Sequence, residues 1–302
     1  MLTEFIDMGK IIEAIKKGKI LVSDGAWGTF LQKKGLQPGE CPELWNITKP
    51  EEVMEIAQSY IEAGADMIET NSFGGTVFKL KNYGLEARAF EINKAAAEIS
   101  REAAGDKFVL GSAGPTGKIL MMGEVTKEEL YEAFKGQCIA LEAGGVDAIM
   151  VETMTDLEEA RLAVRAAKEN THCEVFCTMS FEKTVDGKFM SMMGISPTEM
   201  AGALVSAGVD LLGANCGNGI AGMIEIVKEV READQEIPIL VHANAGMPVF
   251  RDGETTFPET PDEMAARVVE IIEAGANIIG GCCGTTPGHI CKIREVADSC
   301  RK

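Results

Sequence analysis

Ala143-Gly144-Gly145-Val146-Asp147-Ala148-Ile149 reads as the end of a helix followed at once by a strand. Glycine takes the left-handed turn that closes a helix, a short polar step follows, and an apolar run then enters a sheet buried on both faces. The joint recurs as Ala63-Gly64-Ala65-Asp66-Met67-Ile68, Ala207-Gly208-Val209-Asp210-Leu211-Leu212 and Ala274-Gly275-Ala276-Asn277-Ile278-Ile279. Four such joints imply alternating helices and parallel strands.

Working outward, the apolar runs predict eight strands, near 20–24, 67–70, 108–112, 148–152, 175–179, 211–214, 239–242 and 277–280. Helical patterns lie between them at 50–63, 88–104, 127–143, 157–168, 198–207, 223–233, 261–274 and 287–296. Thr48 ahead of Lys49-Pro50-Glu51, and Thr286 ahead of Pro287, look like helix starts. Eight alternating units in 302 residues favour one (β/α)8 TIM barrel over an open doubly wound sheet, and residues 1–302 read as a single domain.

The composition excludes several classes. No apolar run approaches the roughly 18 residues of a membrane span, and the first 22 residues show no signal-peptide core, so a cytoplasmic protein is expected. A formal charge of −18 and the lack of a basic stripe argue against nucleic acid, whose binding rests on phosphate contacts. Nine irregularly spaced cysteines do not suggest a disulfide framework.

In a barrel the chemistry lies at the carboxyl ends of the strands, where the loops converge. Those ends are polar here: Asp24, Glu69-Thr70-Asn71, Ser112, Glu152-Thr153, Ser180, Asn215-Cys216, Asn244 and Cys282-Cys283. The strand count puts Cys216 and the Cys282-Cys283 pair on one rim, on the sixth and eighth staves. Three thiolates there would bind zinc and leave a fourth position open. A vicinal disulfide, or buried cysteines that only pack, fit the spacing too.

These motifs resemble the homocysteine S-methyltransferase family, which includes the homocysteine-binding module of cobalamin-dependent methionine synthase and betaine–homocysteine methyltransferase. The matching segments are Asp24-Gly25-Ala26-Trp27-Gly28-Thr29, Glu69-Thr70-Asn71-Ser72-Phe73, Gly114-Pro115-Thr116-Gly117, Glu152-Thr153, Asn215-Cys216-Gly217, Asn244-Ala245-Gly246 and Gly280-Gly281-Cys282-Cys283-Gly284-Thr285-Thr286-Pro287. The resemblance implies methyl transfer to the thiolate of homocysteine, with Cys216, Cys282 and Cys283 holding one zinc ion and Asn244 filling its fourth position until the substrate arrives. It also implies that Glu152 holds the substrate ammonium, that the N–H groups of Gly25 and Ala26 after Asp24 hold its carboxylate, and that Glu69 and Asn71 belong to the surrounding network.

Ser191-Met192-Met193-Gly194 departs from the family, where small hydroxyl residues usually precede the glycine, and two methionines there are expected to change polarity beside the amino-acid site. The sequence carries one barrel, without a folate barrel or a cobalamin module. The expected methyl donor is therefore a methylated corrinoid on a separate protein, so that methylcobalamin enters only through a partner. S-methylmethionine or betaine is the small-donor alternative, for which the sequence offers few aromatics to hold a cation. A non-catalytic zinc or thiol binder on the same barrel is the alternative of another class.

Overall fold

Each of the four Ala-Gly joints has one glycine in the left-handed region, with φ of 96° at Gly64, 94° at Gly145, 81° at Gly208 and 115° at Gly275. That conformation costs a glycine little and lets the chain leave a helix and enter a strand within two residues. The polar residue that follows does more than solubilise the turn. The Asp147 N–H donates to the Val109 carbonyl at 2.8 Å, while its carboxylate accepts the Val109 N–H at 2.9 Å. Asp210 grips Val175 in the same way, Asn277 grips Ile239, and Asp66 grips Val22. Each joint thus pins an even-numbered strand to the start of the strand before it.

The computed structural model describes residues 10–251 and 254–300. Eight parallel strands form the barrel: β1 (Leu21–Val22), β2 (Met67–Glu69), β3 (Phe108–Ala113), β4 (Ala148–Met154), β5 (Glu174–Met179), β6 (Leu211–Gly219), β7 (Ile239–Asn244) and β8 (Ile278–Gly281). They pair in the order β1-β8-β7-β6-β5-β4-β3-β2, so each lies beside its sequence neighbours, and the expected (β/α)8 barrel is the fold. Only the β1–β2 seam lacks a regular ladder. Side chains bridge it: Asp66 accepts the Val22 N–H at 2.9 Å, and Asp24 accepts the Glu69 N–H at 2.9 Å.

Strand parity sorts the core. Met67, Leu110, Ala148, Met150, Phe176, Leu211, Leu240 and Ile278 point into the lumen, where the helix Lys10–Lys16 inserts Ile11, Ile12 and Ile15 from below. Their odd-step neighbours, such as Val109, Ile149, Val175 and Val241, pack outward against the helices. Further along the same strands, two residues on in five of them and four on from Leu211, the lumen side becomes Glu69, Ser112, Glu152, Thr178, Asn215 and His242, all buried. The apolar core therefore gives way to a polar layer within one pleat.

Several expectations need correction. The helix Pro50–Glu62 starts at Lys49 without a side-chain cap, because Thr48 closes a preceding short helix and donates its hydroxyl to the Leu44 carbonyl. The stretch expected as one helix over 261–274 is two, Pro261–Ala265 and Val268–Ala274. Thr286 is the cap expected before Pro287, with its N–H donated to His289 Nδ1 at 3.1 Å. Among the described residues no helix is long and apolar enough to cross a membrane.

The seam yields a prediction. Asp66 there also meets Arg294 at 2.7 Å, so Asp66→Ala strips an N–H acceptor and leaves a largely buried guanidinium without this partner. We expect a loss of about 2–4 kcal/mol, or roughly 5–10 °C in Tm, since breaking buried polar pairs costs this much. Asp147→Ala, where the strand ladder is intact, should cost less in the same thermal melt; an equal or larger cost there would contradict the seam argument.

Candidate functional site

The polar layer opens into a cavity of about 290 Å³ at the carboxyl ends of the strands. On one side the sulfurs of Cys216, Cys282 and Cys283 lie within 4.8 Å of one another, with Cys216 and Cys283 3.9 Å apart. Three thiolates around one tetrahedral zinc, with Zn–S near 2.3 Å, have sulfurs about 3.8 Å apart, so the donor set and spacing fit that ion. No sulfur pair is joined: all nine cysteines are free thiols. Among the described residues this is the sole group of three or more metal-capable side chains, and the other cysteines join none.

Cys216 reaches the cluster through a distorted backbone. By parity it would face outward, following Ala214. Its φ of 59° and a register shift between Asn215 and Gly219 turn it to the mouth instead. Thr153 has φ of 57° beside a register shift in β4, which brings both Glu152 and Thr153 to the cavity wall. These are the two non-glycine residues with positive φ among those described. Such conformations cost on the order of 1–3 kcal/mol each and persist where the surroundings impose them.

The S–H groups of Cys282 and Cys283 donate toward the Cys216 sulfur, which pulls the Cys216 thiol down to about 3 against the effect of burial. Cys283 is pushed up to about 12 by the same partnership, and Cys282 is raised as well. Cys216 is thus the first of the three to ionise. The Asn244 side chain also hydrogen-bonds to Cys216, while its Oδ1 is buried without a partner. Asn244 sits behind the thiols rather than on the cavity wall.

The opposite side is acidic. Glu69 and Glu152 line the cavity, and burial pushes both carboxyls well above the usual range; Asp24 raises Glu69 further, and Glu69 raises Glu152. Ser112 donates to Glu152, and Asn215 donates to it at 3.3 Å. Asp24 lies beneath the wall, raised by burial, where it accepts the Trp27 indole N–H at 2.8 Å. His242 Nδ1 stands 3.4 Å from Glu69, its Nε2 has no partner, and burial lowers its pKa, so it is a poor counter-charge. Among the described residues no lysine or arginine lines the cavity. The buried carboxyls therefore lack a cation.

The loop after β1 is held tightly. A Cβ on Gly25 would stand 2.8 Å from Thr285 Oγ1 and 2.9 Å from Tyr60, so only glycine fits there. The Tyr60 hydroxyl donates to the Ala26 carbonyl at 2.8 Å, and the Ala26 N–H donates to Thr285 Oγ1 at 3.0 Å. That N–H, expected to face a substrate carboxylate, is already engaged, which leaves Gly25 as the expected donor. Asn71 lines the cavity, but its amide is turned to the Pro42 carbonyl and to Asn46, tying two loops together. Met192 and Met193 do not line the cavity; Met192 is 80% exposed on a turn past the hairpin of Glu182–Lys183 and Phe189–Met190.

A family model described as homocysteine S-methyltransferase matches residues 21–297. The chain belongs to the homocysteine S-methyltransferase family. Its curated relatives include the methionine synthases of Mycobacterium tuberculosis, 34% identical, and Mycobacterium leprae, 33% identical, each over 298 aligned residues covering 92% of this chain and 24% of theirs. The chain thus spans about a quarter of the length of these relatives. The solved structure of the homocysteine methyltransferase MmuM from Escherichia coli, in its metallated form, shares the fold with a TM-score of 0.77 at 23% identity, over 94% of this chain and 98% of that one.

The structure gives a place to several residues that the sequence reading names only as polar strand ends or motif members, and adds His242 to them. His242, Ser112 and Thr153 line the cavity, and Asn215 and Thr285 brace it from behind. Parity was the available signal: His242 is two residues before Asn244, and Ser112 two after Leu110, each on the lumen phase.

Proposed function

We propose that the protein transfers a methyl group to the thiolate of homocysteine, giving methionine, with one zinc ion held by Cys216, Cys282 and Cys283 and the methyl group supplied by a methylated corrinoid on a partner protein or module. The observation that carries this reading is the pairing, within one small cavity, of three converging thiols with buried carboxyls that lack a cation. An amino-acid thiol is complementary to both: its sulfur to a soft metal corner, its ammonium to Glu152 and Glu69. The unpartnered Asn244 oxygen suits the fourth zinc position until the substrate sulfur replaces it.

When bound, zinc keeps the substrate thiol ionised near neutral pH, where a free thiol of pKa about 8.5 is mostly protonated. The chain does the rest. Glu152, raised by burial, gives up its proton as the ammonium arrives, and the Gly25 N–H receives the carboxylate. Tyr60 and Thr285 fix the Gly25 loop against the strand end that bears Cys282, so the two ends of the substrate are held by one rigid frame. The mouth stays open above.

The corrinoid donor is supported by the methionine synthases among the relatives and by the cavity wall, whose aromatics are Trp27, committed to Asp24, and Phe73. Two such rings do not make a cage for a sulfonium or quaternary ammonium donor. Zinc-loaded protein given homocysteine should form methionine with methylcobalamin and far less with S-methylmethionine or betaine. Preference for a small donor would overturn the corrinoid assignment. Tight homocysteine binding without turnover from any donor would leave a thiol-binding protein instead.

A further inference from the structure

Asn215 does not line the cavity, yet the acidic half hangs from its side chain and the thiol half begins at the next residue. Its Oδ1 accepts the Thr153 N–H at 2.8 Å and the Thr178 hydroxyl at 2.7 Å. Its Nδ2 donates to the Thr153 hydroxyl at 2.7 Å and to Glu152 Oε2 at 3.3 Å. Every hydrogen-bonding capacity of the amide is used, in full burial. The next residue is Cys216, and the register of β6 against β7 shifts immediately after Asn215. The two left-handed residues that shape the mouth, Thr153 and Cys216, are therefore respectively hydrogen-bonded to Asn215 and adjacent to it.

We propose that Asn215 is a positioning residue that fixes the separation between the Glu152 carboxylate and the Cys216 thiol corner, so that the site measures the length of its amino-acid thiol and selects homocysteine over the shorter cysteine. The inference rests on the reading that Glu152 takes the ammonium and the thiol corner takes the sulfur. A backbone held in the left-handed region by one saturated amide cannot slide to meet a shorter substrate. Cysteine then satisfies one end at the expense of the other.

The test is calorimetric binding of homocysteine and of cysteine to zinc-loaded protein without a methyl donor. Wild type should prefer homocysteine by at least about tenfold, the usual worth of one methylene in a tight site. Asn215→Ala should lower that ratio by at least about fivefold. Thr178→Val removes a single anchor of the amide and keeps side-chain shape, and should shift the ratio the same way by about twofold. That second variant decides the matter if Asn215→Ala does not fold. Equal losses of affinity for both thiols in the variants would mark a merely structural residue and overturn the inference. Wild type that binds neither thiol would instead overturn the proposed function.

Discussion

Cys283→Ser is expected to lower bound zinc from one ion per chain to under roughly a tenth and methionine formation by about a thousandfold or more. A serine hydroxyl does not ionise near neutral pH, so the substitution removes one of three anionic soft donors and replaces it with a neutral hard one. Structural zinc sites are held by apparent energies of about 10–16 kcal/mol, and one ligand carries a large share of that. The barrel should survive, because Cys283 sits on the turn after β8, above a core made by Met150, Phe176, Leu211 and their neighbours. The metal-free melting temperature should therefore stay within a few degrees of wild type, and far-ultraviolet circular dichroism should be unchanged. Metal analysis after dialysis, beside a turnover assay, separates the outcomes. A serine variant with full zinc and full turnover would remove Cys283 from the ligand set.

The barrel was legible because its punctuation is chemical. The Ala-Gly joints announce where each even strand begins, and the residue after them, Asp or Asn, is the one that clamps the preceding strand. The β1–β2 seam was not legible, since its closure uses the side chains of Asp66 and Asp24 where a ladder would be expected, and no local pattern reports a missing ladder. The thiol cluster was half legible. Cys282 falls on the lumen phase after Ile278 and Gly280, but Cys216 is on the wrong phase and arrives only through its left-handed backbone. A motif carries that information, and periodicity does not. Met192 and Met193 misled for a related reason. The hairpin before them lifts the turn away from the cavity, and nothing in four residues of sequence encodes that displacement.

Legibility also failed for the bracing residues, because bracing is a property of pairs. Thr285 takes the Ala26 N–H across 259 positions, and Asn215 reaches Glu152 across 63. Sequence order places such partners on adjacent or next-but-one staves but cannot say that one will occupy the hydrogen-bonding group assigned to a ligand.

Glu152→Gln is expected to weaken homocysteine binding by about a hundredfold while stabilising the empty protein. Loss of one partner of a buried, hydrogen-bonded charge pair costs about 2–5 kcal/mol in affinity, and the amide keeps the size of the carboxylate but not its charge. The stability change has the opposite sign. Burial raises the Glu152 carboxyl above its unfolded value, with Glu69 adding repulsion. A carboxyl raised in the folded state favours folding when protonated and opposes it once the pH exceeds the unfolded value, so near neutrality the wild-type site works against the fold. The glutamine removes that penalty, and thermal melts at pH 7 should show a higher Tm for the variant, with the difference shrinking as the pH falls toward the unfolded carboxylate value. Binding has its own pH signature. Because the empty carboxyl holds a proton more firmly than usual, homocysteine should expel it on binding, and affinity should fall as pH drops through the raised pKa in wild type but much less in the variant. Calorimetry in buffers of different ionisation enthalpy measures that proton directly. A glutamine variant that binds homocysteine as tightly as wild type would mean the ammonium is held elsewhere, with Glu69 the next carboxylate on the wall.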